Sequence, residues 1–105
     1  MKVYRQGDVI LVEVKAIPKG AKDVTPKGAL VLAYGEVTGH AHKFKEDAEG
    51  LRMYQADSGE RYIHVAGITL DLVHEEHSTV RVPKGKYLVP NQVEYTPAEL
   101  RRVAD

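Results

Sequence analysis

The chain has no cysteine and no tryptophan, one phenylalanine and two methionines. Without thiols it can form no disulfide and offer no thiolate to a metal. Any metal centre must therefore use imidazole and carboxylate ligands. The lack of cysteine also agrees with a reducing compartment. Neither sign of charge is in excess: fifteen Lys and Arg against fifteen Asp and Glu leave a formal net charge of zero. Phosphate neutralisation normally demands a basic surplus, which argues against nucleic acid as the main partner. No apolar run approaches the ~20 residues that span a bilayer. Arg5, Asp8, Glu13 and Lys15 interrupt the region where a secretory signal needs a continuous apolar core. The expectation is a cytoplasmic protein with no membrane span. There is no internal repeat, low-complexity tract or linker, and 105 residues suit one domain, so residues 1–105 are expected to form a single β domain.

What is present is a succession of short apolar runs separated by turn residues. Val9–Val14 is a β-branched run that reads as a largely buried strand. Further strands are expected at 29–34, 40–45, 51–56, 61–66, 68–73, 79–82, 86–89 and 92–95. Asp57-Ser58-Gly59-Glu60 and Pro83-Lys84-Gly85 both read as hairpin connections. Only the end looks helical: Thr96 can cap, Pro97 suits a first helical position, and Leu100 and Val103 make a small apolar face. The pattern predicts an all-β fold, an antiparallel barrel or sandwich of about seven to nine short strands with a short C-terminal helix over 97–103. The expected core is Val9, Leu11, Leu30, Leu32, Ile63, Val65, Leu70, Leu72 and Val80.

Two of the five histidines stand in Gly39-His40-Ala41-His42. On a strand, residues two apart share a face, so His40 and His42 can present two imidazoles to one ion. Glu46 follows where the strand should turn. Imidazole and carboxylate suit a divalent ion such as zinc, iron, nickel or manganese, with copper also compatible. The same residues also read as two solvated histidines on a glycine-rich loop. His74-Glu75-Glu76-His77 is a second cluster, one residue short of the His-Glu-x-x-His of zinc proteases. It reads either as an exposed polar turn between two strands or as the source of a further ligand, His74 or His77. The metal reading expects both clusters at one open end of the fold. His64 alternates with Ile63 and Val65 and reads as structural or surface. The six tyrosines lack the basic surroundings of a base-stacking platform. No phosphate loop, nucleophile elbow or dinucleotide fingerprint is present, so no catalytic residue is named.

Gly35, His40-Ala41-His42, Glu46 and Gly50 resemble the first motif of the cupins over about sixteen residues. Pro83-Lys84-Gly85 resembles the turn of their second motif, with Leu88 where that motif carries a histidine. The resemblance implies a small metal-binding β-barrel. The whole chain also resembles small uncharacterised bacterial and phage proteins, which implies no activity. Three readings follow. The first is a cupin-like metal-binding protein of unassigned activity, its ion acting, if catalytic, as a Lewis acid or an activator of water or dioxygen. The second is a non-enzymatic binding or assembly module that forms homo-oligomers through strand edges. The third is a nucleic-acid-associated accessory protein, phage-related, using Lys43, Lys45, Arg101 and Arg102.

Overall fold

Apolar residues two apart recur along the chain. Val9 and Leu11, Leu30 and Leu32, Leu51 and Met53, Ile63 and Val65, Leu70 and Leu72, and Tyr87 and Val89 are all buried. A period of two turns one side of each strand toward a common interior, and burial of that side drives the strands together. The computed structural model describes residues 2–35, 39–45 and 48–90. Among them are ten strands: β1 (Val3–Gln6), β2 (Val9–Val14), β3 (Lys22–Asp23), β4 (Leu30–Tyr34), β5 (Ala41–Phe44), β6 (Leu51–Gln55), β7 (Arg61–Val65), β8 (Leu70–Val73), β9 (Val80–Val82) and β10 (Gly85–Val89). They form two antiparallel sheets, one of six strands in the order β1-β2-β10-β7-β6-β3 and one of four in the order β4-β5-β8-β9.

The fold is thus all-β and sandwich-like, with no closed barrel. The six-stranded sheet supplies Val9, Leu11, Leu51, Met53, Ile63, Val65, Tyr87 and Val89 to the core; the four-stranded sheet supplies Leu30, Leu32, Phe44, Leu70, Leu72 and Val82. Val82, not Val80, is the buried residue of β9, and Val80 packs at the core's margin. β2 alternates rather than being buried throughout, because its second face is only half covered. Ten strands exceed the expected number because β1 and β3 lie in polar stretches without apolar alternation. They are held by backbone pairing, β1 to β2 and β3 to β6. The 92–95 strand, the 97–103 helix, Arg101 and Arg102 lie outside the described residues. No helix among the described residues is long and apolar enough to cross a membrane.

Asp57–Glu60 does close a hairpin, joining β6 to β7 with Gly59 at φ +95°. Pro83–Gly85 does not. β9 belongs to the four-stranded sheet and β10 to the six-stranded one, so the chain changes sheets at this corner. Tyr87 fastens the corner. Its ring is fully buried, packs edge-on against Tyr4 with centroids 5.8 Å apart, and its hydroxyl donates to the Pro83 carbonyl at 2.7 Å.

Burial, then Tyr4 and Glu13, push the Tyr87 phenol up to about 12. An unfolded tyrosine ionises near 10. The contribution to stability is therefore whole below about pH 10 and is lost as pH rises from about 10 toward 12. Tyr87→Phe should cost about 1 kcal/mol at neutral pH, the worth of a hydrogen bond to a half-buried carbonyl. Urea titrations at pH 7 and pH 11 should show a smaller alkaline loss in the variant than in the wild type.

Candidate metal centre

Three parts of the chain meet at one end of the sandwich: the Gly7-Asp8 turn between β1 and β2, Gly35 and His40 beside the ends of β4 and β5, and the loop from β8 to β9. At this end the inward-facing positions of three strands turn polar. On β1 the inward series Tyr4, Gln6 ends in Gln6, which is 2% exposed. On β5, Phe44 is followed inward by His42, 5% exposed. On β8, Leu70 and Leu72 continue to His74. The pairing of Lys43 with Val73 and Phe44 with Leu72, carried one step further, sets His42 opposite His74. Their rings lie 4.3 Å apart between centroids. The tight loop to β9 brings His77 round to the same place, 4.6 Å from His74 and 5.6 Å from His42. His40 stands 5.7 Å from His74 on another side.

The buried Gln6 amide organises these rings. Its Nε2 donates to the carbonyls of Leu72, at 2.8 Å, and Ser78, at 3.0 Å. Both amide hydrogens are thereby used, so Oε1 must be the atom that faces His42 Nδ1 at 2.9 Å. Nδ1 carries the proton and donates, which leaves the lone pair of His42 on Nε2. Burial lowers the pKa of His42, and the neighbouring His74 and His77 lower it further, so the ring stays neutral. His74 Nδ1 accepts from the backbone N–H of Glu76 at 3.0 Å. Glu75 Oε1 accepts from Ala41 N–H at 2.9 Å; that bond is the first cause that holds its carboxyl below the usual range. Glu76 lies 3.7 Å from His40 Nδ1.

Two glycines make room for the rings. A Cβ on Gly7, whose φ is +57°, would lie 2.7 Å from His77 Nε2. One on Gly35 would lie 3.2 Å from His74 Nε2 and 3.1 Å from the His40 Cβ. His42, His74 and His77 line a cleft of about 290 Å³ whose other walls include Gly7, Asp8, Tyr34, Gly35 and Glu76.

Among the described residues, the potential donor atoms form two overlapping groups, each within 4.8 Å: His42, His74 and His77, and His40, His74 and Glu75. His40, His42, His74 and His77 are therefore gathered at one end, but His40 and His42 do not share a group. β5 begins only at Ala41, and Gly39 at φ +90° redirects the backbone just before His40, so strand alternation does not govern that pair. Glu46 lies outside the described residues. Pro83-Lys84-Gly85 follows the other end of β9, so the cupin-like turn is not beside the cluster. Sequence reasoning misses Gln6 and Gly7, because no local spacing joins them to the histidines; Gly35 and Glu75 stand inside the two motifs, but spacing alone does not show that Gly35 makes room for His74 or that Glu75 bonds the Ala41 amide. One usable signal is apolar alternation that ends in a polar residue, as in Leu70, Leu72, His74.

Residues 5–92 match the model of a family described as a domain of unknown function, DUF8820. No curated protein and no solved structure matches the chain.

Long-range ¹H–¹⁵N spectra of the metal-free protein at neutral pH should show His42 as the Nδ1–H tautomer. Gln6→Leu strips partners from His42 Nδ1 and two carbonyls, and should cost on the order of 2 kcal/mol in urea denaturation. An Nε2–H tautomer in the wild type would contradict this hydrogen-bond assignment.

Proposed function

The chain belongs to the DUF8820 family, and we propose that it binds one divalent transition-metal ion through His42, His74 and His77. One observation carries the reading. Three imidazoles from two segments, β5 and the β8–β9 loop, converge, and the Gln6 amide, acting from behind, holds the lone pair of His42 available on Nε2. A ligating histidine whose other nitrogen is held in this way is the usual second layer of a metal site. An all-imidazole set suits zinc, iron, nickel or copper, whereas calcium, magnesium and manganese prefer oxygen. His40 and Glu75 flank the ion in this reading. Glu75 is occupied by the Ala41 amide, and His40 pairs with Glu76.

Binding has a cost inside the loop. If His74 ligates through Nδ1, the metal displaces the Glu76 N–H from that atom. If it ligates through Nε2, the ring proton moves to Nδ1 and the amide again loses its acceptor. Either route breaks this bond, so the Glu76 amide should shift on zinc addition in ¹H–¹⁵N correlation spectra.

Calorimetry on protein without a histidine tag should give one zinc ion per chain above pH 7. Affinity should fall as pH drops through ~6.5, where free imidazoles protonate. His77 is exposed, so His77→Ala should leave metal-free stability nearly unchanged while weakening zinc binding at least ~10-fold. Wild-type protein that binds no divalent metal above pH 7 would overturn the reading.

A further inference from the structure

Resting on the His42–His74–His77 reading, we propose that the bound ion keeps one coordination position open to the cleft. It takes there a small uncharged molecule with one lone-pair donor, seated against Tyr34. Three protein donors leave an ion such as zinc one position short of four, the arrangement that separates reactive from closed structural sites. Among the described residues, the nearby carboxylates stand outside this donor group. Glu75 is tied to the Ala41 amide, and Glu76 stands 3.7 Å from His40. The cleft side is bounded by Gly7 and Gly35, which add no side chain in front of His77 and His74.

Size and charge define the occupant. At about 290 Å³ the cleft is at the small end of ligand sites, enough for a ligand of a few heavy atoms. Three neutral imidazoles leave the ion's two positive charges uncancelled. Asp8 and Glu76 line the same cleft outside the donor group, and in this proposal their carboxylates balance the charge without ligating. An uncharged ligand keeps that balance, whereas a phosphate dianion would face both carboxylates. Tyr34, 80% exposed at the end of β4, lines the same cleft, and in this proposal its ring packs against the ligand's apolar part.

The test uses the full chain loaded with Co(II), with imidazole as the uncharged probe and inorganic phosphate as the anionic one. Imidazole should change the visible cobalt spectrum saturably, with the cobalt still bound after dialysis. Phosphate at the same concentration should leave the spectrum as it was. Tyr34→Ser should weaken imidazole binding about 3–10-fold, the range expected for loss of an aromatic contact, with cobalt affinity unchanged. A cobalt spectrum indifferent to imidazole, cobalt lost to imidazole, or phosphate binding as well as imidazole would overturn this inference and leave the metal reading standing. An unaltered imidazole affinity in Tyr34→Ser would overturn the seat against Tyr34. Failure of the protein to bind cobalt, zinc or any other divalent metal would overturn both readings.

Discussion

The Gln6 amide is the constraint on which this end of the molecule depends. It is a buried polar group, and such groups are tolerated only when their hydrogen bonds are made. Gln6 belongs to the six-stranded sheet, and its three partners, Leu72, Ser78 and His42, belong to the four-stranded sheet and its loop. One side chain therefore ties the two layers together, fixes where the β8–β9 loop begins and ends, and chooses the tautomer of His42. The carbonyls accept only from the amide nitrogen, so the oxygen has no alternative to His42. A chemical property of the candidate site thus follows from a packing requirement.

The rest of the sandwich can hold its shape without an ion. Its core is built from inward pairs on six strands, from Val9 and Leu11 to Tyr87 and Val89, and that burial is independent of the histidines. The cluster lies beyond the ends of these pairs, where the inward positions of β1, β5 and β8 turn from apolar to polar. His42 sits on a strand and is rigidly placed. His77 rides on an exposed loop and lies over Gly7. This mixture of a fixed ligand with adjustable ones fits an ion that is bound by the folded protein rather than one that creates the fold.

Much of the architecture is legible from alternation alone. Leu30 with Leu32, Ile63 with Val65, and Leu70 with Leu72 mark strands and their inward faces by spacing. The Asp57–Glu60 hairpin is readable from its turn chemistry. β1 and β3 are not legible, because backbone pairing to a neighbour leaves no mark on their side chains. The corner at Pro83–Gly85 reads as a hairpin for a related reason. Local turn chemistry shows that the chain bends but not which sheet receives it. For the site, the two histidine clusters are visible as clusters, yet their geometry comes from the β5–β8 register, which no short-range spacing encodes. The partners that shape the rings are invisible as functional residues, since a glutamine before a glycine has no meaning until residues 6, 42 and 72 are brought together.

The central claim is that His42, His74 and His77 form the first coordination layer of a divalent ion. X-ray absorption at the zinc edge, on tag-free protein loaded with one equivalent of zinc, addresses it most directly. The expected result is imidazole nitrogen scattering from three ligands at ~2.0–2.1 Å, with one further oxygen or nitrogen donor completing four-coordination. The outer-ring imidazole signal should fall by about a third in His77→Ala measured under saturating zinc, one ligand of the three being lost. An all-oxygen shell without imidazole outer-ring scattering, or a signal unchanged by His77→Ala, would contradict it.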